Sequence, residues 1–93
     1  MPRPLDLDDG TLSLDSEDFL VWLAAERGRS KNTIAAYRRD LTAYEGWLRS
    51  RGSDPLSVTG DDLIEFVNAR KASGDAASTV ARQLAAVRML HRF

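Results

Sequence analysis

Polar and basic side chains occur together at two places where the sequence could bind a ligand. The first is the run Ser30–Thr33 followed by Arg38, and the second is Ser78 and Thr79 followed by Arg82. Hydroxyl, amide and guanidinium groups donate hydrogen bonds to phosphate oxygens and base edges, and a helix N-terminus adds unpaired N–H groups. The two runs are therefore the candidate binding residues. The alternative is that these cations form only a solvated helix face.

The rest of the sequence offers no catalytic or metal-binding pattern. It has no cysteine and one histidine, His91, which excludes thiolate and His-rich metal centres. The adjacent carboxylates Asp61 and Asp62 stand at a predicted helix start, where the helix dipole favours anions. The glycines are isolated, so there is no glycine-rich phosphate loop. We predict no catalytic residue, no metal and no cofactor in this chain.

The charge is distributed unevenly along the 93 residues, a length that suits one domain. The formal net charge is −1, which taken alone argues against a nucleic-acid partner. Residues 1–27 carry a net charge of −5, residues 28–51 carry +4, residues 52–74 carry −2 and residues 75–93 carry +2. Both candidate runs lie in the basic segments, so a basic face is compatible with the near-neutral total.

The sequence contains no membrane or export signal. No stretch approaches the roughly 18 apolar residues that cross a bilayer, and the first residues lack the apolar core of a signal peptide. The absence of cysteine agrees with a reducing compartment. We therefore expect a cytoplasmic protein without a membrane partner.

Hydrophobic periodicity predicts an all-α fold of four helices, because no segment alternates as a strand does. Residues 1–14 are predicted to form a flexible acidic tail, and residues 15–93 one folded domain. The first predicted helix runs from an Asp15 cap, supported by packing of Leu14 on Phe19, to Gly28, and the second runs from a Ser30 cap to Gly52. The third runs from a capping box at Thr59 and Asp62 to Gly74. The fourth begins between Asp75 and Ser78 and reaches the last residue.

The faces of the second and fourth helices follow from a turn of 100° per residue. In the second helix the apolar residues fall within roughly 80° of arc and predict the core stripe. Three cations, Lys31, Arg38 and Arg49, lie on one flank of this stripe. Trp47 lies on the other flank and is expected to pack against a neighbouring helix. In the fourth helix, Arg82 and Arg92 are expected opposite the core, together with Met89 and Phe93. Apolar residues on an outward face at an uncapped helix end suggest that the chain continues beyond Phe93. The predicted core stripes are Ile34, Tyr37, Leu41, Tyr44 and Leu48 in the second helix and Val80, Leu84, Val87 and Leu90 in the fourth.

Four short motifs occur in an order that resembles a known family. These are F-L-x-x-L from Phe19, S-K-N-T-I-x-A-Y-R-R-D-L over residues 30–41, D-D-L from Asp61, and S-x-x-x-R-x-L-x-x-V-R-x-L over residues 78–90. The ordered set strongly resembles the N-terminal core-binding domain of tyrosine recombinases, most closely the Xer type of the phage-integrase family. The resemblance covers about residues 16–93.

The resemblance implies a four-helix, SAM-like orthogonal bundle that binds double-stranded DNA. In that family the domain holds one face of an inverted-repeat half-site while a catalytic domain closes a clamp from the other face, and protomers assemble in a synaptic tetramer. The tyrosine nucleophile of the family belongs to the catalytic domain, so Tyr37 is not its counterpart. Carried over by motif, the expected DNA-binding residues are Lys31, Asn32, Thr33, Arg38, Ser78, Thr79, Arg82 and Arg88.

A second class of function stays open from the sequence alone. SAM-like bundles also serve as self-association domains, and outward Met89 and Phe93 would supply half of such an interface. Separately, the resemblance implies that the first helix lies near neighbouring protomers, so its acidic residues Glu17, Asp18 and Glu26 are expected to meet protein there or simply solvent. For the isolated domain we expect a monomer that binds DNA weakly.

Overall fold

The chain is described here by a computed structural model, which covers residues 12–93. These residues form four helices and contain no strand, as the periodicity predicts. A single turn of 3-10 helix at Pro55–Ser57 lies between the second and third helices. The helices are α1 (Leu14–Glu26), α2 (Lys31–Arg51), α3 (Gly60–Ala72) and α4 (Ala77–Arg92).

The first helix begins two residues earlier than predicted. Its N-cap is Ser13, whose Oγ accepts a hydrogen bond from the backbone N–H of Ser16 at 3.2 Å, so the prediction of Asp15 as the cap is wrong. The N–H and Oγ–H of Ser13 donate to the carboxylate of Glu45 in α2 at 2.9 and 2.7 Å. This contact between helices fixes Ser13 at the cap position.

The start of the folded region shifts with that cap. Most of the expected tail, residues 1–11, lies outside the described residues, but Leu12 is buried in the core. Leu14, expected to pack on Phe19, is instead 82% exposed. The bundle therefore includes residues 12–14, because Leu12 supplies the buried apolar side chain at this end of α1.

The ends of α2 and α3 agree with the prediction. Ser30 caps α2, and the helix stops at Gly52, whose φ of +66° is a left-handed conformation that a side chain disfavours. Thr59 and Asp62 form the predicted capping box of α3, in which each side chain accepts from the backbone N–H of the other residue. These ends are decided by local chemistry.

The core is built around α2. Tyr44 and Trp47 both lie against Phe66 of α3, with ring centroids 5.4 Å apart in each case. The prediction that Trp47 packs on a neighbouring helix is confirmed. The buried apolar residues of the core cluster are Leu12, Phe19, Leu20, Leu23, Leu41, Tyr44, Leu48, Phe66, Ala86 and Val87.

The last turn of α4 packs against α1, which corrects the expected outward face. The Phe93 ring lies 5.7 Å from that of Phe19 and 5.5 Å from that of Trp22. Met89 also packs against the core cluster. Phe93 remains 55% exposed, so α1 covers only one side of its ring.

Candidate nucleic-acid interface

Some polar residues at the N-terminus of α2 form the helix cap, and the others are exposed to solvent. The Oγ of Ser30 accepts from the N–H of Thr33 at 3.2 Å and donates to its Oγ1 at 3.0 Å. Both hydroxyl groups therefore contribute to the cap. Lys31 and Asn32 are exposed and make no side-chain hydrogen bond within residues 12–93, so they are the groups of this run that a ligand could reach.

The N-terminus of α4 has no side-chain cap. Its N-cap is Ala76, whereas α1, α2 and α3 are capped by Ser13, Ser30 and Thr59. The first N–H groups of a helix have no partner within it, and an anion is a favourable partner for them. Ser78 is exposed in this first turn and Thr79 is half-buried.

Arg82 is not a freely solvated cation but one half of an ion pair between α4 and α2. Its Nε and Nη2 donate to Oδ2 and Oδ1 of Asp40, each at 2.8 Å. The Asp40 side chain is 1% exposed and that of Arg82 is 37% exposed. Hydrogen bonding to Asp40 raises the pKa of Arg82 further above its ordinary value. The pair therefore holds the guanidinium plane at the rim of the core.

A second contact shows how α2 and α4 are oriented. Tyr44 Oη lies 2.7 Å from Nε2 of His91. Because Asp40 meets Arg82 and the later Tyr44 meets the later His91, the contacts follow the same order along both helices. These contacts place the first half of α4 beside the middle of α2. We call the candidate binding residues in the first halves of these two helices the α2–α4 surface: Lys31, Asn32 and Arg38 of α2, and Ser78, Thr79 and Arg82 of α4. Arg38 lies two residues before Asp40 and about 160° away around α2, so it is on the flank of α2 opposite the one that meets Arg82.

Arg38 belongs to this surface but is paired with α1. Its Nη1 and Nη2 donate to Oε2 and Oε1 of Glu17 at 2.7 and 2.8 Å. The two side chains are 48% and 39% exposed, so the pair lies in solvent. This hydrogen bonding lowers the pKa of Glu17 and raises that of Arg38. A ligand that used the same edge of Arg38 would have to displace Glu17.

The remaining expected cations occupy different positions. Within residues 12–93, Lys31 and Arg88 are exposed and have no carboxylate partner. Arg88 lies six residues after Arg82, which places it about 120° away around α4. The fold therefore brings Arg82 and Asp40 together but leaves Arg88 on another face of α4.

Asp40 and Glu17 are the partners that were not identified from the sequence. Asp40 lies three residues after Tyr37 and four before Tyr44, so it falls beside the buried stripe of α2. A carboxylate in that position requires a cation or several hydrogen bonds. This pattern could have predicted a partner for Asp40, although not which one. For Glu17, an exposed residue of another helix, the sequence contains no comparable pattern.

The contact between Tyr44 and His91 is part of the packing of α2 against α4. Burial raises the pKa of Tyr44 to about 12, with smaller contributions from the charges of Asp62 and Glu45. Partial burial also lowers the pKa of His91, the other member of the Tyr44–His91 contact. Among the described residues, no three His, Asp or Glu side chains converge as a metal site, and no helix is long and apolar enough to cross a membrane.

Comparison with known proteins adds an independent observation. The family model of the phage integrase N-terminal SAM-like domain matches residues 17–93. The chain is 35% identical over 79 residues to tyrosine recombinase XerD of Bifidobacterium longum, a match that covers 84% of this chain and 26% of that protein. It is 43% identical over 91 residues to XerD of Mycobacterium tuberculosis, covering 89% of this chain and 29% of the relative.

A relative named XerC shows a comparable similarity. Tyrosine recombinase XerC of Herpetosiphon aurantiacus is 40% identical over 78 residues, which cover 83% of this chain and 26% of that protein. The chain thus spans about a quarter of the length of the curated relatives that it matches. No solved structure gives a significant match.

Proposed function

The chain belongs to the phage integrase family, whose N-terminal SAM-like domain it contains, and on that premise we propose that it binds double-stranded DNA through the α2–α4 surface. The observation that carries the proposal is the Asp40–Arg82 ion pair, which joins α4 to α2 and fixes a guanidinium group two turns or less from the uncapped N-terminus of α4. Two polar helix ends and a fixed guanidinium group suit adjacent phosphates along a groove.

The contacts of this surface favour phosphate as the main ligand. The uncapped N–H groups of α4 and the exposed hydroxyl of Ser78 donate hydrogen bonds without any change in the fold. Lys31 adds a cation without a carboxylate partner in the described region. Contacts of this type position a protein on DNA and carry little sequence information. Arg88 is proposed as a peripheral contact, because it lies on a different face of α4.

For the whole protein we propose the N-terminal half of a DNA clamp. The relatives are named tyrosine recombinases, and this chain corresponds to about a quarter of their length. In this proposal the domain holds one face of an inverted-repeat recombination site in the cytoplasm, and other protomers join it in a synaptic tetramer. Strand cleavage would require a catalytic domain outside this chain, because the α2–α4 surface contains no nucleophile paired with a base.

The alternative, a self-association module without DNA binding, keeps only part of its support, since Phe93 remains 55% exposed. It depended on outward Met89 and Phe93, but Met89 packs on the core and the Phe93 ring contacts Phe19 and Trp22. Sedimentation of the chain distinguishes the two functions. We expect a monomer, and a stable oligomer that did not bind DNA would favour the alternative.

Titration of a fluorescent duplex that carries an inverted-repeat site tests the proposal. At low salt we expect a dissociation constant of roughly 10⁻⁴ to 10⁻⁶ M that weakens steeply as salt is added. The triple variant K31A/R38A/R82A should lose most of this binding. The control is R92A, which removes an exposed cation about 15 Å farther along α4 than Arg82. Salt-insensitive binding, or equal binding by the triple variant, would refute the proposal.

A further inference from the structure

The ion pair of Asp40 and Arg82 uses only one edge of the guanidinium group. A guanidinium presents five N–H donors in a plane, of which two point along its Nε side and two along its outer end. Asp40 occupies the Nε side, because its oxygens accept from Nε and Nη2. Arg82 has no other acceptor within residues 12–93, so the outer edge formed by Nη1 and the second N–H of Nη2 is unused.

Arg38, on the other flank of α2, shows the opposite arrangement. Glu17 accepts from Nη1 and Nη2, which form the outer edge. Like the Nε edge, the outer edge can donate to two acceptor atoms held side by side, such as two phosphate oxygens or O6 and N7 of guanine. It is occupied in Arg38 and available in Arg82.

The burial of Asp40 makes this arrangement rigid. Its side chain is 1% exposed and extends from the middle of α2, where the neighbouring Leu41 is fully buried. A carboxylate packed in this way cannot follow a moving arginine, so Arg82 is restricted to the orientation that the pair allows. A side chain that is oriented before binding loses less conformational entropy when it binds.

We propose that Asp40 is a positioning residue that presents the outer edge of Arg82 to duplex DNA. This inference rests on the proposed DNA-binding function and adds the mechanism by which one of its arginines is oriented. If that edge binds a phosphate, removing Arg82 should weaken the binding of duplexes of every sequence equally. If that edge binds a guanine, the loss of affinity should instead depend on the DNA sequence. Duplexes that differ at single positions therefore distinguish a phosphate contact from a guanine contact.

Substitution D40N tests this proposal, because the change in charge and the loss of positioning should shift the DNA affinity in opposite directions. It preserves the shape of the side chain and makes the protein more positive by one charge, which through general electrostatics would tighten DNA binding. If Asp40 positions Arg82, D40N should instead weaken binding by about five- to tenfold. The matched control is D61N in the first turn of α3, which changes the charge equally at an exposed carboxylate.

Three further variants separate positioning from a purely structural role. R82A should lose about as much affinity as D40N, and D40N/R82A should bind within about twofold of R82A, because Asp40 acts only through Arg82. R82K keeps the charge without the planar edge and should also bind weakly. The folded fraction of each variant is measured by urea unfolding, so that affinities refer to folded protein.

The outcomes are distinguishable from failure of the proposed function. If the wild-type chain does not bind duplex DNA, both the proposed function and this inference are wrong. If the wild type binds but D40N binds as tightly as D61N, only the positioning role is overturned. The same holds if the loss of affinity in D40N/R82A equals the product of the losses in D40N and R82A. A lower stability of D40N with unchanged affinity would likewise assign Asp40 a structural role alone.

Discussion

Glu17 and Arg38 join α1 to α2 through two parallel hydrogen bonds of 2.7 and 2.8 Å. The pair occupies the outer edge of Arg38, whose N–H groups would otherwise be able to donate to two phosphate oxygens. An acidic residue of the first helix therefore competes with the proposed ligand for one of its cations.

Substitution E17Q should tighten duplex binding by about two- to fivefold at low salt, because exposed ion pairs of this kind are worth about 0.2–1 kcal/mol. The control D18N removes the same charge from the adjacent, exposed position of α1 and should have a smaller effect. Fluorescence anisotropy with the same duplex measures both variants. Equal affinities for E17Q and D18N would contradict the competition.

Acid should destabilise the bundle through three carboxyl groups. Hydrogen bonding lowers the pKa of Glu17 beside Arg38, of Asp62 beside Thr59 and of Asp75 beside Gln83 and Arg70. Because each folded pKa lies below its unfolded value of 4.5 or 3.8, the stabilisation is present above those values and is lost as the pH falls through the folded pKa.

Urea unfolding across a pH series should therefore show a falling free energy of unfolding below about pH 4.5. D75N should make this decline shallower, because it removes one of the three groups. An equally steep decline in D75N would show that Asp75 does not contribute.

Alkaline pH should destabilise the bundle through Tyr44. Its pKa is raised from 10.0 to about 12 by burial, so the unfolded chain releases this proton at a lower pH than the folded chain does. The contribution is fully present below pH 10 and is lost as the pH rises, by at most about 1.4 kcal/mol per pH unit. Difference spectra between wild type and Y44F isolate the ionisation of Tyr44, and ionisation near pH 10 would contradict the expected burial effect.

The corrected start of α1 can be tested by two neighbouring substitutions. S13A removes the cap and one hydrogen bond to Glu45, so it should reduce the free energy of unfolding by about 1–2 kcal/mol. D15A should change it by less than about 0.5 kcal/mol, because Asp15 is an exposed residue of the first turn. Urea unfolding measures both, and a larger loss for D15A would favour the cap predicted from the sequence.

Much of the fold follows from local patterns. The ends of α2 and α3 lie where Ser30, Gly52 and the Thr59–Asp62 capping box predict them, because each depends on side chains within three or four residues of the helix end. The buried stripe of α2 was likewise predictable from spacing alone. The matching family model also agrees with the family that the ordered motifs resemble.

Other features depended on residues distant in the chain. Ser13 and Asp15 are both plausible caps, and the contact with Glu45, 32 residues after Ser13, selected Ser13. The Phe93 ring was expected to face outward, yet α1 lies against it. Helical spacing gives the face of a residue relative to its own axis but does not say which other helix covers that face.

The sequence by itself determined that this protein is an all-α bundle with cations at the starts of two helices, because periodicity, caps and motif order are properties of neighbouring residues. Only the tertiary structure decided which of those cations are paired. Asp40 meets Arg82 across 42 residues and leaves its outer edge available, whereas Glu17 meets Arg38 across 21 residues and occupies that edge. Both outcomes depend on how the helices pack, since an ion pair forms only where packing brings its two charges within about 4 Å.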